Sequence, residues 1–189
     1  MGWLVAIIIT GNGRCGSSLT MQMLAAAGLP VVGDPPYFED VRSSISRFNP
    51  KWLEDLPGGS CVKVLGLHQV KVRGKHKIIF LTRNPSAQAA SQNKFQNIVI
   101  KREVAGHDAM KKQVKRQNRK CLEACHKLTK DVLQIKFEDL IQIPMITIGR
   151  ICNFLELKPL NEYGPKMINV IRPRGIECLP DMELERTNQ

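Results

Sequence analysis

Aromatic side chains are scarce in this chain: of 189 residues, two are Trp, two Tyr and six Phe. A protein so short of rings has few platforms on which bases can stack. No RNA- or DNA-binding motif makes up for them. Long apolar runs are missing too, since nothing approaches the ~20 residues that cross a bilayer. Val5 to Ile9 is apolar, but it is short, no Lys or Arg precedes it, and it runs straight into a Gly-rich turn. It therefore reads as a buried strand rather than a signal-peptide core, and the expectation is a cytoplasmic protein. Six cysteines (Cys15, Cys61, Cys121, Cys125, Cys152, Cys178) contain no C-x-x-C pair, which suits a reduced compartment. Cys121 and Cys125 beside His126 hint at a metal. However, Met110, Val114, Cys121, Cys125 and Leu128 share one stripe at ~100° per residue, so both cysteines read as core and no metal is expected. Repeats and low-complexity tracts are also lacking, and a chain of this length fits one domain, 1–189, with a sizeable core.

Acidic residues are the last shortage: 17 against 28 Lys and Arg, for a net charge of +11. The excess is concentrated, because residues 101–130 hold ten Lys/Arg and three Asp/Glu. A basic face steers polyanions toward it, although a solvated helix face is the commonest fate of such a run.

The informative presence is Ile7-Ile8-Ile9-Thr10-Gly11-Asn12-Gly13-Arg14-Cys15-Gly16-Ser17-Ser18-Leu19. A β-branched strand feeds a Gly-rich turn that opens into a helix. That order lines up backbone N–H groups at a helix N-terminus, where phosphates bind. Gly11 and Gly16 have Walker A spacing, yet Ser17 stands where the P-loop lysine belongs, and the cation is Arg14, inside the loop.

The rest of the pattern is α/β. Strands are expected at Trp3–Thr10, Pro30–Val32, Cys61–Leu65, His76–Thr82 and Val132–Phe137. Helices are expected at Ser17–Ala27, from Asn84-Pro85 as cap and first turn, over 107–129, and from Pro144. Residues 34–58 read as an irregular excursion with one short helix, and the tail from Lys158 as loop. Alternating strands and helices give a three-layer α/β/α fold around a mainly parallel sheet, like that of the P-loop NTPases. Ligands of such sheets lie at the carboxyl ends of the strands, where Arg14 and Arg83 both fall. Ser91 follows Arg83 by eight residues, so a guanidinium and a hydroxyl can meet on one phosphate.

With these residues in place, the chain resembles the sulfotransferase superfamily. Gly13-Arg14-Cys15-Gly16-Ser17-Ser18 is similar to that family's Pro-(Lys/Arg)-Ser-Gly-Thr-(Ser/Thr) loop, with Gly13 for Pro and Cys15 for Ser. Arg83-Asn84-Pro85 with Ser91 resembles its Arg-Asp-Pro segment and following Ser. Val132 to Leu140, ending Phe137-Glu138-Asp139-Leu140, resembles its late strand, and Asn153 to Leu157 its Phe-Leu-Gly segment. The likeness covers roughly residues 3–157.

The resemblance implies a co-substrate, 3′-phosphoadenosine 5′-phosphosulfate (PAPS), with 3′-phosphoadenosine 5′-phosphate (PAP) as product and no metal. It implies that Arg14, Cys15, Gly16, Ser17 and Ser18 wrap the 5′-phosphate, and that Arg14 neutralises charge on the bridging oxygen. Arg83 and Ser91 would grip the 3′-phosphate, and Arg174, in the basic tail cluster, would also bind the co-substrate. For the base the family uses His or Glu. His68, after the Cys61–Leu65 strand, is one candidate, and Glu39 and Asp40 are its rivals. The acceptor is then a small molecule or glycan, with nucleic acid a poor fit, and residues 34–58 would build the acceptor side; a homo-oligomer is left open. Competing readings are a weak or inactive nucleotide-binding protein of the same fold, a P-loop small-molecule kinase, and a basic nucleic-acid-binding module.

Overall fold

The structure is a computed structural model and describes residues 6–45, 50–97, 106–158 and 160–171. Four strands, β1 (Ala6–Gly11), β2 (Ser60–Lys63), β3 (Lys77–Thr82) and β4 (Val132–Lys136), form one parallel sheet in the order β2-β1-β3-β4. Ile9 is the register partner of Lys63 on one side and of Ile79 on the other. β1 and β3 are buried almost throughout, as a parallel sheet covered on both faces requires.

Alternation within β1 divides the core. Ile7 and Ile9 face α1 (Ser17–Ala26), α5 (Phe137–Gln142), α6 (Pro144–Leu155) and α7 (Leu160–Ile168). Ala6 and Ile8 face the other way, toward Cys121 and Cys125 of α4 (His107–Leu128) and toward Trp52 and Leu53. The expected three-layer fold is present. α3 (Pro85–Phe95) begins at the carboxyl end of β3, and α2 (Val41–Ile45) lies in the excursion. Asn84 caps α3 as expected: its Oδ1 accepts from the N–H groups of Ser86 and Ala87, at 2.9 and 3.3 Å.

Several boundaries differ from expectation. Pro30–Val32 is no strand; Val31 makes only an isolated bridge to Cys61. Phe137 starts a helix instead of ending β4. The tail from Lys158 is not all loop, because α7 occupies Leu160–Ile168 with Pro165 inside it. Gly164 and Pro165 read as breakers, but Gly164 and Met167 are buried and Met167 and Ile168 pack on the α1 side of the core. That packing outweighs the propensity penalty. Trp3, Arg174 and Cys178 lie outside the described residues.

In the strand order, β1 leads to β2 in one direction while β3 and β4 lie in the other. The switch therefore falls between β1 and β3, whose carboxyl ends carry the loop at residues 11–16 and Arg83. A crevice at such a point is where open α/β sheets place their ligands.

Candidate active site

The loop after β1 is wound by positive φ angles: Arg14 at 67° and Gly16 at 96°. A left-handed non-glycine residue costs about 1–3 kcal/mol, so something must hold Arg14 there. The loop is held from both sides. The Gly13 carbonyl accepts from the side-chain amides of Gln88 and Gln92 on α3, at 2.9 and 3.0 Å. Asn12 Nδ2 donates to Asn118 Oδ1 on α4 at 2.7 Å, and Asn118 Nδ2 donates to Gln88 Oε1 at 3.3 Å. Sequence reasoning missed the three helix amides, Gln88, Gln92 and Asn118, which carry no motif. Their only signal is polarity at helix positions facing a strand end.

Backbone N–H groups at alternating left- and right-handed residues converge into an anion-binding nest. α1 continues that geometry, with no side-chain cap on its N-terminus and no acid in its first turn. Gly16 has no freedom to change, since a Cβ there would lie 2.6 Å from Phe137 Cδ2.

Arg14 and Arg83 come together. Arg14 Nε donates to Ser91 Oγ at 3.3 Å, and Arg83 Nη1 donates to the Arg14 carbonyl at 3.4 Å. Arg83 is buried with its guanidinium 4.6 Å from the centre of the Phe137 ring, and Arg14 lies 5.1 Å from the Phe95 ring. Both are cation–π contacts that orient a fork without neutralising it. Glu138 Oε1 accepts from the Asn84 N–H at 2.7 Å, so the Phe137-Glu138 pair supports the Arg83-Asn84 corner from below.

The loop residues divide into two kinds. Ser17 is buried and Ser18 Oγ accepts from Lys63 Nζ at 3.3 Å. Cys15 is fully buried, and burial pushes its thiol up to about 12, so only its backbone is available to a ligand.

Lys63 is the cation that sequence reasoning passed over. It ends β2 on the α1 face, buried, and reaches the Tyr37 carbonyl, Ser18 and Glu39 Oε1, the last at 3.0 Å. Burial holds its pKa below the ordinary lysine value, and the Glu39 contact partly offsets this. Of the base candidates, Glu39 is thus linked through Lys63 to Ser18 in the loop. Asp40 is clamped by Arg42 at 2.7 Å, which lowers its pKa. His68 sits in a short 3-10 turn, Leu67–Gln69, against Cys121 of α4, with Nε2 3.5 Å from the Gln69 amide. Among the described residues, no group of three His, Cys, Asp or Glu side chains is placed to hold a metal ion. Arg174 lies outside them.

A cation-rich donor set with no carboxylate inside the loop suits an anion bearing more than one phosphate. Comparison with known proteins agrees. A sequence model of the sulfotransferase family matches residues 70–162. The chain superposes on mouse sulfotransferase SULT7A1, crystallised with PAP, with a TM-score of 0.60 at 16% identity, covering 87% of this chain and 63% of that one. It superposes on sulfotransferase STF9 from Mycobacterium avium (TM-score 0.56, 16% identity, 89% and 68% covered). The sulfotransferase domain of the Synechococcus PCC 7002 olefin synthase also matches (TM-score 0.53, 18% identity, 96% and 87% covered). The chain thus spans a little under two thirds of the mouse enzyme's length. No curated protein matches it in sequence. The matched segment, just under half of the chain, contains the Arg83-Asn84-Pro85 corner, Ser91 and the Phe137-Glu138 pair, and the chain has the fold of the sulfotransferases on which it superposes.

Proposed function

We propose that the protein transfers a sulfuryl group from PAPS to a hydroxyl or amine acceptor. The observation that carries this reading is the joining of two guanidinium groups, from the ends of β1 and β3, on one phosphate-type loop through Ser91 and the Arg14 carbonyl. The crystallised PAP complex of mouse SULT7A1 supports it.

The donor molecule supplies an activated sulfuryl group on a phosphate leaving group; this chain supplies charge and placement. N–H groups of residues 14–18 and the Ser17 and Ser18 hydroxyls hold the 5′-phosphate. Arg14 meets the negative charge that grows on the bridging oxygen as the S–O bond breaks. Arg83 and Ser91 hold the 3′-phosphate and so distinguish this nucleotide from ATP. Lys63, in contact with Ser18, adds a second cation beside the reacting centre. Glu39 is the base in this reading: it takes the acceptor's proton while Lys63 fixes its carboxylate. His68 is set aside from that role because it packs against Cys121. Ser17 in place of a P-loop lysine speaks against the kinase alternative.

The deciding experiment is calorimetric titration with PAP, AMP and ATP. PAP should bind at least ~100-fold more tightly than AMP, about 2.7 kcal/mol, as two charge-assisted contacts to the extra phosphate would give. Arg83→Ala should erase the preference. Equal binding of PAP and AMP by the unaltered protein would overturn the reading.

A further inference from the structure

Beside the loop, on the α4 side, lies a cavity of about 160 Å³ with a wall made almost wholly of amides. Asn12, Gln69, Gln92, Gln113 and Gln117 line it, and Val114 is its one apolar side chain. Each amide offers a donor and an acceptor, as each hydroxyl of a sugar does. A phenol or a steroid seated there has a single hydroxyl to offer, too few hydrogen bonds for a wall of five amides. Gln117 Oε1 is buried and has no hydrogen-bond partner among the described residues, so it calls for a hydroxyl or N–H from a ligand. Cavities of roughly 150 Å³ accept one six-membered ring, and this one matches that size. Gly13, the residue before Arg14, is also part of the wall, which places a ring seated there next to the reacting loop.

The same helix carries the chain's strongest charge. Lys112, Lys115, Arg116 and Lys120 are exposed, and none of them is in an ion pair among the described residues; Arg119 pairs with Glu123. Lys112, Arg116 and Lys120 repeat at four-residue spacing, so each repels the next and destabilises the isolated helix. Arg116 follows Gln113 by three residues and Lys120 follows Gln117 by three. The cations are therefore surface neighbours of the amide row.

We infer that the acceptor is an anionic sugar chain, one ring of which sits in the amide cavity while carboxylates or sulfates of adjoining units lie along the α4 cations. The assignment rests on the sulfuryl-transfer reading for the reaction but not for the binding. A nucleic acid is the other polyanion of this charge, but no aromatic side chain lines the cavity for a base to stack on.

The test measures binding of the whole chain, at low salt, to three probes: a hyaluronan hexasaccharide, the neutral chitohexaose, and a single-stranded oligonucleotide of the same charge as the first. The hyaluronan probe should bind about tenfold more tightly than either of the others. The double variant Arg116→Glu/Lys120→Glu should lose that advantage with its thermal midpoint unchanged. Gln117→Met, a near-isosteric change, should weaken both sugars several-fold. Equal affinity for the two sugars, tighter binding of the oligonucleotide, or an unaffected double variant would overturn the inference. Arg83→Ala separates the two claims: loss of PAP affinity in that variant speaks to the donor site, while its hexasaccharide affinity should stay intact.

Discussion

At the scale of single residues, the chemistry is concentrated in a few charged groups held at fixed distances. Glu39→Gln should lower kcat by about 10²–10⁴-fold with PAP affinity retained, whereas His68→Ala should leave kcat within a few-fold; initial rates with radiolabelled donor read both. If His68→Ala gives the larger loss, the base is misassigned. Gly16→Ala puts a Cβ against Phe137 and forces a methyl-bearing residue to a φ of 96°. A cost of about 1–3 kcal/mol is expected, read by denaturant midpoint, with PAP affinity falling alongside because Phe137 also backs Arg83. Lys63 gives a pH signature. Burial lowers its folded pKa below 10.5, so between that folded value and 10.5 the unfolded chain binds more protons than the folded one. The stability contributed by this group therefore rises with pH across that window. Urea midpoints followed from neutral pH up to 10.5 should show a rise that Lys63→Met flattens.

At the scale of elements, what the sequence revealed was whatever depended on near neighbours. The β1-loop-α1 unit, β3, the Asn84-Pro85 cap and the amphipathic stripe of α4 each announce themselves within a dozen residues, by periodicity or turn chemistry. α7 was illegible because Gly164 and Pro165 signal a break locally, and only packing on the α1 side of the core reverses that. The Lys63–Glu39 pair spans 24 positions of irregular chain, and the Gln88–Asn118 brace joins two helices, so neither leaves a spacing to read. The Phe137-Glu138 pair was legible as a motif but not as a support, since its partners Gly16, Arg83 and Asn84 come from other elements. Removing the fully buried Met167 side chain tests whether α7 is integral: Met167→Ala should cost about 2–5 kcal/mol by thermal or urea denaturation. A cost below ~0.5 kcal/mol would mean that α7 packs only peripherally.

At the scale of the whole molecule, ligand and fold are coupled. A nucleotide gripped by β1, β3 and α3 together stabilises only the folded state. PAP at 100 times its dissociation constant should add about 2.7 kcal/mol, or roughly 5–10 °C in midpoint for a chain of this size. ATP at the same concentration should add far less, and differential scanning fluorimetry separates the two. The same coupling limits how product can leave. The Gly13 carbonyl is fastened to Gln88 and Gln92, and the helix bearing those glutamines starts two residues after Arg83 and carries Ser91. On the proposed function both ends of the nucleotide would thus be gripped by what is mechanically one part. Neither phosphate could then be let go by slackening its own end, so departure of the spent nucleotide would require the loop and α3 to shift in concert, and the tempo of that joint movement would set an upper bound on turnover.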